Sequence, residues 1–358
     1  MRMLLAGGGT GGHLFPAVAL AQRLLEQDAE AKVLFVGTER GLESRLLPQL
    51  ELPLQTIDIR GLVGKDLVDK LKLLPKLLKS LAQSRGIIKE FHPDIVVGVG
   101  GYASGPVLLA ALLMKVPTLI HEQNAWPGLT NRLLARWADR VCLSFPEADR
   151  AFHMGRTMLT GNPLRKGMDE CPPLPTGQPR LLVFGGSQGA RAINEAMLAA
   201  VPELKGLKQQ PKILHQTGEA DREKVEAGYA ELGWQDVEVV SFINDMSAAY
   251  ANAHLVVSRA GATTIAELTA CGRPSLLIPY PHAAGGHQAA NAESLARNGA
   301  AMLLHQREIS GGRFAGLLRD MLSDRKLLER MAGAASSLGR RGAADTILKE
   351  CRRLVGKG

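Results

Sequence analysis

Aromatic residues are scarce in this chain, 4% of 358 positions. That scarcity, with no recognised nucleic-acid-binding module, argues against nucleic acid as a partner even though the net charge is +8. Cysteines are few: Cys142, Cys171, Cys271 and Cys351 stand far apart with no C-x-x-C pair, which excludes a zinc ribbon or a dense disulfide framework. With no secretory signal ahead of them, they read as reduced thiols of a cytoplasmic protein. Long apolar runs are also few. Ile95 to Met114 holds twenty uncharged residues, the length of a membrane span. Its centre, "GGYASGP", is turn chemistry, so strand, loop and buried helix describe it better.

What is present is ordinary soluble composition, 46% hydrophobic and 22% charged, at about twice the length of a typical domain. Short aliphatic runs ("RMLLA", "KVLFV", "DIVVGV", "PTLIH", "RVCLS", "RLLVF", "KILHQ", "VEVVS", "HLVVS", "SLLIP") alternate with helical patterns, which predicts α/β architecture with parallel sheets covered on both faces. The stretch from Gly161 to Arg180 holds five prolines and no hydrophobic period, and reads as a linker. The expected division is therefore a first domain over 1–161, a linker over 162–179, a second domain over 180–340 and a terminal helix over 341–358. Strand, glycine turn and helix open both halves, as "RMLLAGGGTGGHLFPAVALAQRLL" and "RLLVFGGSQGARAINEAMLAAV", so two Rossmann-like units are expected to face one another across a cleft.

The first turn places five glycines among residues 7–12 and then His13. Such turns let backbone N–H groups approach phosphate or sugar at a helix N-terminus. His13 could act there as a base near neutral pH, or be a partly buried histidine bonded to backbone; the residues alone leave both open. Neither turn completes a dinucleotide fingerprint. In the second half Gly261, Ala262, Thr263 and Thr264 form a small-residue helix start, and Glu267 either complements the dipole or accepts ribose hydroxyls. His282, His287, Gln288 and Asn291 lie in or beside a glycine-bearing loop and suit sugar hydroxyls; they lack metal-ligand spacing. From Lys65 to Gln83 leucines at 67, 71, 74, 78 and 81 share one helical face with Val68, lysines gather opposite, and Leu73 and Leu77 lie at the margin. Lys72, Lys76 and Lys79 beside Leu73 and Leu77 fit contact with an anionic lipid surface, with Pro75 able to divide the segment.

Six blocks in order, "GGTGGHLFPAVALA", "GVGGYASGP", "HEQNAWPGLTNRLLA", "TGNPLR", "GGSQGAR" and "SRAGATTIAEL", resemble the MurG family, bacterial glycosyltransferases of family 28. The resemblance implies a GT-B fold and inverting transfer of N-acetylglucosamine from UDP-N-acetylglucosamine to the muramyl 4-hydroxyl of lipid I, giving lipid II at the inner face of the cytoplasmic membrane. It implies His13 as base, Thr10, Gly11 and Gly12 beside the sugar and Asn124 contacting it. It places Arg165 and Ser187 against the donor, Ile243 on uracil, Ala262, Thr263 and Thr264 on phosphate, Glu267 on ribose, and Gln288 with Asn291 on sugar hydroxyls. Family members can carry two glutamines where this chain reads His287-Gln288. No cofactor or metal is expected, since helix N-termini can stabilise a leaving diphosphate and no D-x-D pair lies near the second turn. A relative acting on another lipid acceptor, a dinucleotide-dependent oxidoreductase and a basic peripheral protein are the competing readings.

Overall fold

A computed structural model of the chain describes residues 1–59, 74–152, 155–309 and 312–356. It divides into two compact units, Met1–Arg165 with Gly342–Gly358, and Lys166–Arg341. Among the described residues the first unit carries strands β1 (Arg2–Gly7), β2 (Lys32–Gly37), β3 (Leu54–Thr56), β4 (Ile95–Gly100), β5 (Thr118–Glu122), β6 (Arg140–Leu143) and β7 (Thr157–Leu159). Its helices are α1 (Gly11–Gln27), α2 (Glu43–Gln49), α3 (Leu74–Phe91), α4 (Ser104–Leu113) and α5 (Leu129–Leu134). The second unit carries β8 (Arg180–Phe184), β9 (Lys212–Gln216), β10 (Val237–Val240), β11 (Leu255–Ser258), β12 (Ser275–Leu277) and β13 (Ala301–Leu303). Its helices are α6 (Arg191–Lys205), α7 (Arg222–Glu231), α8 (Met246–Asn252), α9 (Ala262–Ala270), α10 (His287–Arg297), α11 (Arg313–Ser323) and α12 (Arg325–Leu338). A last helix, α13 (Ala343–Val355), belongs to the first unit.

Both sheets are parallel. Strand order is β3-β2-β1-β4-β5-β6-β7 in the first and β10-β9-β8-β11-β12-β13 in the second. The central strands are buried on both faces, which is why they read as unbroken aliphatic runs rather than alternating ones. All ten such runs are strands. The apolar stretch from Ile95 to Met114 is β4, a glycine turn and the buried helix α4, and no helix among the described residues is long and apolar enough to cross a membrane.

Helix α13 packs against α1 and β4, burying Ile347, Leu348, Cys351 and Leu354 in the core formed by Met3, Leu5, Leu14 and Val97. Each large aliphatic side chain so buried contributes about 1.5–3 kcal/mol. Arg140 and Arg353 pair with Glu350 of the same helix and hold its carboxyl below the usual carboxylate range.

Three expectations are corrected. Cys171 and Cys271 are joined by a disulfide: the proline-rich stretch folds back on the second unit, where Met168 and Arg273 are buried, and brings the two Cα atoms to 4.8 Å. Arg273 donates to the carbonyl of Pro172, so this stretch is packed chain rather than a free linker. Cys142 and Cys351 are buried thiols, and burial pushes Cys142 up to about 12. In α3 the inward face carries Ser80, Ser84, Ile87 and Ile88, whereas Leu78 is 59% exposed, because the helix turns its small residues toward the core. Lys72 and Leu73 lie outside the described residues. Lys76 and Leu77 are half-buried, and Lys79 is exposed and ion-paired with Asp58 at 3.0 Å.

Candidate active site

The first sheet reverses its winding between β1 and β4, since β2 and β3 lie to one side and β5 to β7 to the other. Ligands of open α/β sheets bind beyond the carboxyl ends of the strands at such a switch point. Three segments arrive there: the glycine turn with His13 after β1, Gly100 and Gly101 ending β4, and His121 to Asn124 ending β5.

The glycines of the first turn are only partly explained by a ligand. A Cβ on Gly7 would lie 2.3 Å from the carbonyl oxygen of Gly100, and one on Gly8 2.5 Å from the Glu43 carboxylate. Glu43, 1% exposed, accepts from the backbone N–H of Gly9 at 2.7 Å and of Thr38 at 2.8 Å. A carboxylate of the protein's own thus occupies part of this turn's backbone. Gly11 faces the Phe15 ring, and open space remains at Gly9, where an added Cβ meets nothing within 4 Å. Thr10 is exposed and extended at the N-cap of α1; Gly11, Gly12 and His13 are half-buried.

His13 lies in the first turn of α1 with its ring against Gly100, whose added Cβ would stand 3.0 Å from Cε1 and 3.1 Å from Nδ1. Its Nδ1 is 2.9 Å from Oε1 of Gln123. Behind Gln123 is His121, fully buried, with Nε2 3.1 Å from the Gly161 carbonyl; burial and the neighbouring His13 lower its pKa to about 4. Asn124 is buried and donates from its backbone to Glu122, which also accepts from the Gly128 N–H and the Asn131 amide, so one carboxylate shapes the turn into α5. Arg165 is half-buried with its guanidinium 4.4 Å from the centre of the Phe15 ring. The structure thus gathers Thr10, Gly11, Gly12, His13 and Asn124 near one switch point. Sequence reasoning passed over Glu43, His121 and Gln123; the "HEQN" run was the signal for the last two.

In the second unit the switch point lies between β8 and β11. Ser187 is exposed in the turn after β8, and Gly186 beside it, at φ +98°, has open space where a Cβ would be. Gly189 and Gly218 pack backbone against backbone: a Cβ on Gly189 would lie 1.8 Å from the Thr217 carbonyl oxygen. Gly261 caps α9 in extended conformation, followed by buried Ala262 and Thr263 and half-buried Thr264. Glu267 is 1% exposed, and its Oε2 accepts from the Tyr250 hydroxyl at 3.1 Å. Asn291, fully buried in α10, donates to the Ala260 carbonyl at 3.1 Å and so ties α10 to the turn before α9. Gln288 is half-buried and accepts from the Tyr280 N–H at 2.9 Å. Ile243 stands apart from these, bordering a groove of about 510 Å³ that is lined by Arg180, Lys212, Val237 and Asn252. His287 opens α10, and His282 lies in the preceding loop against the Tyr280 ring.

Each of the two parallel sheets carries a glycine turn and a small-residue helix start at its switch point, an architecture shared by glycosyltransferases. The family descriptions agree: the glycosyltransferase family 28 N-terminal domain matches residues 3–143 and the family 28 C-terminal domain matches 180–347. The chain belongs to glycosyltransferase family 28. It is 59% identical, over all of both chains, to the UDP-N-acetylglucosamine--N-acetylmuramyl-(pentapeptide) pyrophosphoryl-undecaprenol N-acetylglucosamine transferase of Syntrophotalea carbinolica. It is 49% identical, over 98% of both chains, to the protein of that name from Geobacter sulfurreducens. The crystal structure of Acinetobacter baumannii MurG superposes with a TM-score of 0.80 at 35% identity, covering 98% of this chain and 99% of that one.

Proposed function

We propose that the protein transfers N-acetylglucosamine from UDP-N-acetylglucosamine to the muramyl 4-hydroxyl of lipid I, forming a β-1,4 linkage and giving lipid II and UDP. The observation that carries this reading is the identity of 59% over full length to a transferase of that name, joined to a histidine held at the first switch point. His13 takes the proton of the acceptor hydroxyl. The oxygen attacks the anomeric carbon, the bond from that carbon to the diphosphate breaks, and UDP leaves with the bonding electrons from the opposite face. Backbone N–H groups at the starts of α6 and α9 stabilise the charge that develops on the diphosphate.

In this reading the second unit binds the donor, through Ser187, Ile243, Ala262, Thr263, Thr264, Glu267, Gln288 and Asn291, and the resemblance adds Arg165 as a donor-contacting position. Thr10, Gly11, Gly12 and Asn124 border the acceptor sugar. The acceptor's long lipid requires work at an anionic membrane surface, in this reading the inner face of the cytoplasmic membrane. The first unit supports that contact with Lys76 and Lys79 on α3, and with exposed Leu129, Leu133 and Trp137 on and after α5.

The test is incubation of purified protein with labelled UDP-N-acetylglucosamine and a lipid I analogue. A β-linked disaccharide product supports the reading, and hydrolysis of the donor without transfer refutes it. His13→Ala should lower kcat by about 10²–10⁴ with little change in donor affinity. Near-normal turnover would return His13 to a structural role.

A further inference from the structure

We infer that Gln123, itself oriented by His121, is a positioning residue that fixes His13 as the Nδ1–H tautomer and leaves Nε2 as the proton-accepting nitrogen. The inference rests on His13 being the base and adds what makes it one.

The protons can be assigned from groups that only accept. The Gly161 carbonyl cannot donate, so the His121 Nε2 that faces it at 3.1 Å carries hydrogen; Ser144 Oγ, at 3.3 Å, shares that donor. His121 is fully buried and neutral, so its Nδ1 is a bare lone pair. One end of the Gln123 amide lies 3.0 Å from that lone pair and 3.0 Å from the His121 carbonyl oxygen. Both are acceptors, so this end is the NH2 group, and each of its hydrogens is committed. The other end is then the amide oxygen, which can only accept, and it faces His13 Nδ1 at 2.9 Å. His13 Nδ1 must donate. In the neutral ring Nε2 therefore holds the lone pair.

The arrangement has the logic of a base oriented by a hydrogen-bonded third group, with one chemical difference. An amide fixes the tautomer without a full negative charge and so without the large rise in basicity a carboxylate would bring. His121, neutral and enclosed, takes no proton; it sets only which way the amide points. The free imidazole prefers hydrogen on Nε2, so the protein holds the less favoured form.

The experiment is NMR of protein carrying nitrogen-15 histidine, with the His13 signals assigned by their loss in His13→Ala. The expected wild-type pattern is a protonated Nδ1 and an unprotonated Nε2. In Gln123→Leu the ring should revert toward the Nε2–H form. Turnover should then fall about tenfold or more, short of the about 10²–10⁴ that loss of the base itself costs, with donor KM unchanged. A wild-type ring protonated on Nε2 overturns the inference, as does a Gln123→Leu variant with tautomer and kcat unaltered. If that variant does not fold, the wild-type spectrum decides alone. Normal turnover in His13→Ala, with the Nδ1–H tautomer still observed in the wild type, would remove the base and not the relay.

Discussion

Replacing Gly100 by alanine should disable the site through one methyl group. Gly100 has φ +89°, where alanine is strained by about 1–3 kcal/mol. Its added Cβ would also stand 3.0 Å from Cε1 and 3.1 Å from Nδ1 of His13, closer than the ordinary contact of about 3.5–4.0 Å. The imidazole must then move by about half an ångström or turn away from Gln123, and displacement on the scale of about 1 Å costs a reacting group up to a hundredfold. Gly177→Ala is the control, because Gly177 has φ +87° with nothing within 4 Å of an added Cβ. Both variants should lose about 1–3 kcal/mol in denaturant unfolding. Only Gly100→Ala should lose turnover, by about tenfold to a hundredfold on the lipid I analogue, while UDP affinity by calorimetry stays at the wild-type value in both. Turnover of Gly100→Ala within about twofold of wild type would refute the argument that ring position governs the reaction. So would an equal loss in the control.

Glu267→Gln should raise the dissociation constant for UDP by about tenfold to a hundredfold, the worth of a hydrogen bond to a charged acceptor; unchanged calorimetry would take Glu267 out of the donor site. Thiol titration of unfolded, unreduced protein should find two free cysteines rather than four, and Cys171→Ser should cost about 2–5 kcal/mol for a link spanning 100 residues; four free thiols would remove the bond. Because Arg353 and Arg140 depress the Glu350 carboxyl below 4.5, the stability it lends α13 is present above that value and is lost as pH falls through the folded pKa. Acid unfolding of Glu350→Gln should accordingly be shallower than wild type below about pH 4.5, and identical profiles would exclude the pair. Lys76→Glu with Lys79→Glu should weaken binding to anionic vesicles by about an order of magnitude or more, in a salt-sensitive way, and spare activity on a water-soluble acceptor; unchanged vesicle binding would place the contact elsewhere.

The ten strands legible in the sequence have mostly aliphatic side chains, and all but β12, which has three residues and lies inside its sheet, have four or more. The three passed over, β3, β7 and β13, have three residues each and lie at sheet edges, where little burial is needed and the aliphatic signal vanishes. His13 and the small-residue start of α9 were visible because glycine spacing and helix onset are local properties. Glu43 was not, since it acts on a turn 34 positions away and nothing in its own neighbourhood announces it; Gln123 stood in the "HEQN" run, but its partner His13 lies 110 positions away. The outward turn of Leu78 escaped a helical-wheel argument for a related reason. A wheel ranks residues by hydrophobicity, whereas close packing of α3 against α4 is served by Ser80 and Ser84, whose hydroxyls bond backward to Leu77 and Ser80 carbonyls.

The return of α13 to the first unit has a consequence for how the chain is made. On a ribosome the residues through Arg165 emerge before the second unit, yet the helix that closes their core is translated roughly 190 residues after them. At about 5–20 residues per second, that interval is on the order of ten to forty seconds. For that time the apolar surface around Met3, Leu5 and Val97 waits for Ile347, Leu348 and Leu354, while the second unit, continuous in sequence, can complete itself. The half that is synthesised first is thus the half that finishes last, and a premature stop near Arg341 would release a finished second unit attached to a first one that cannot close.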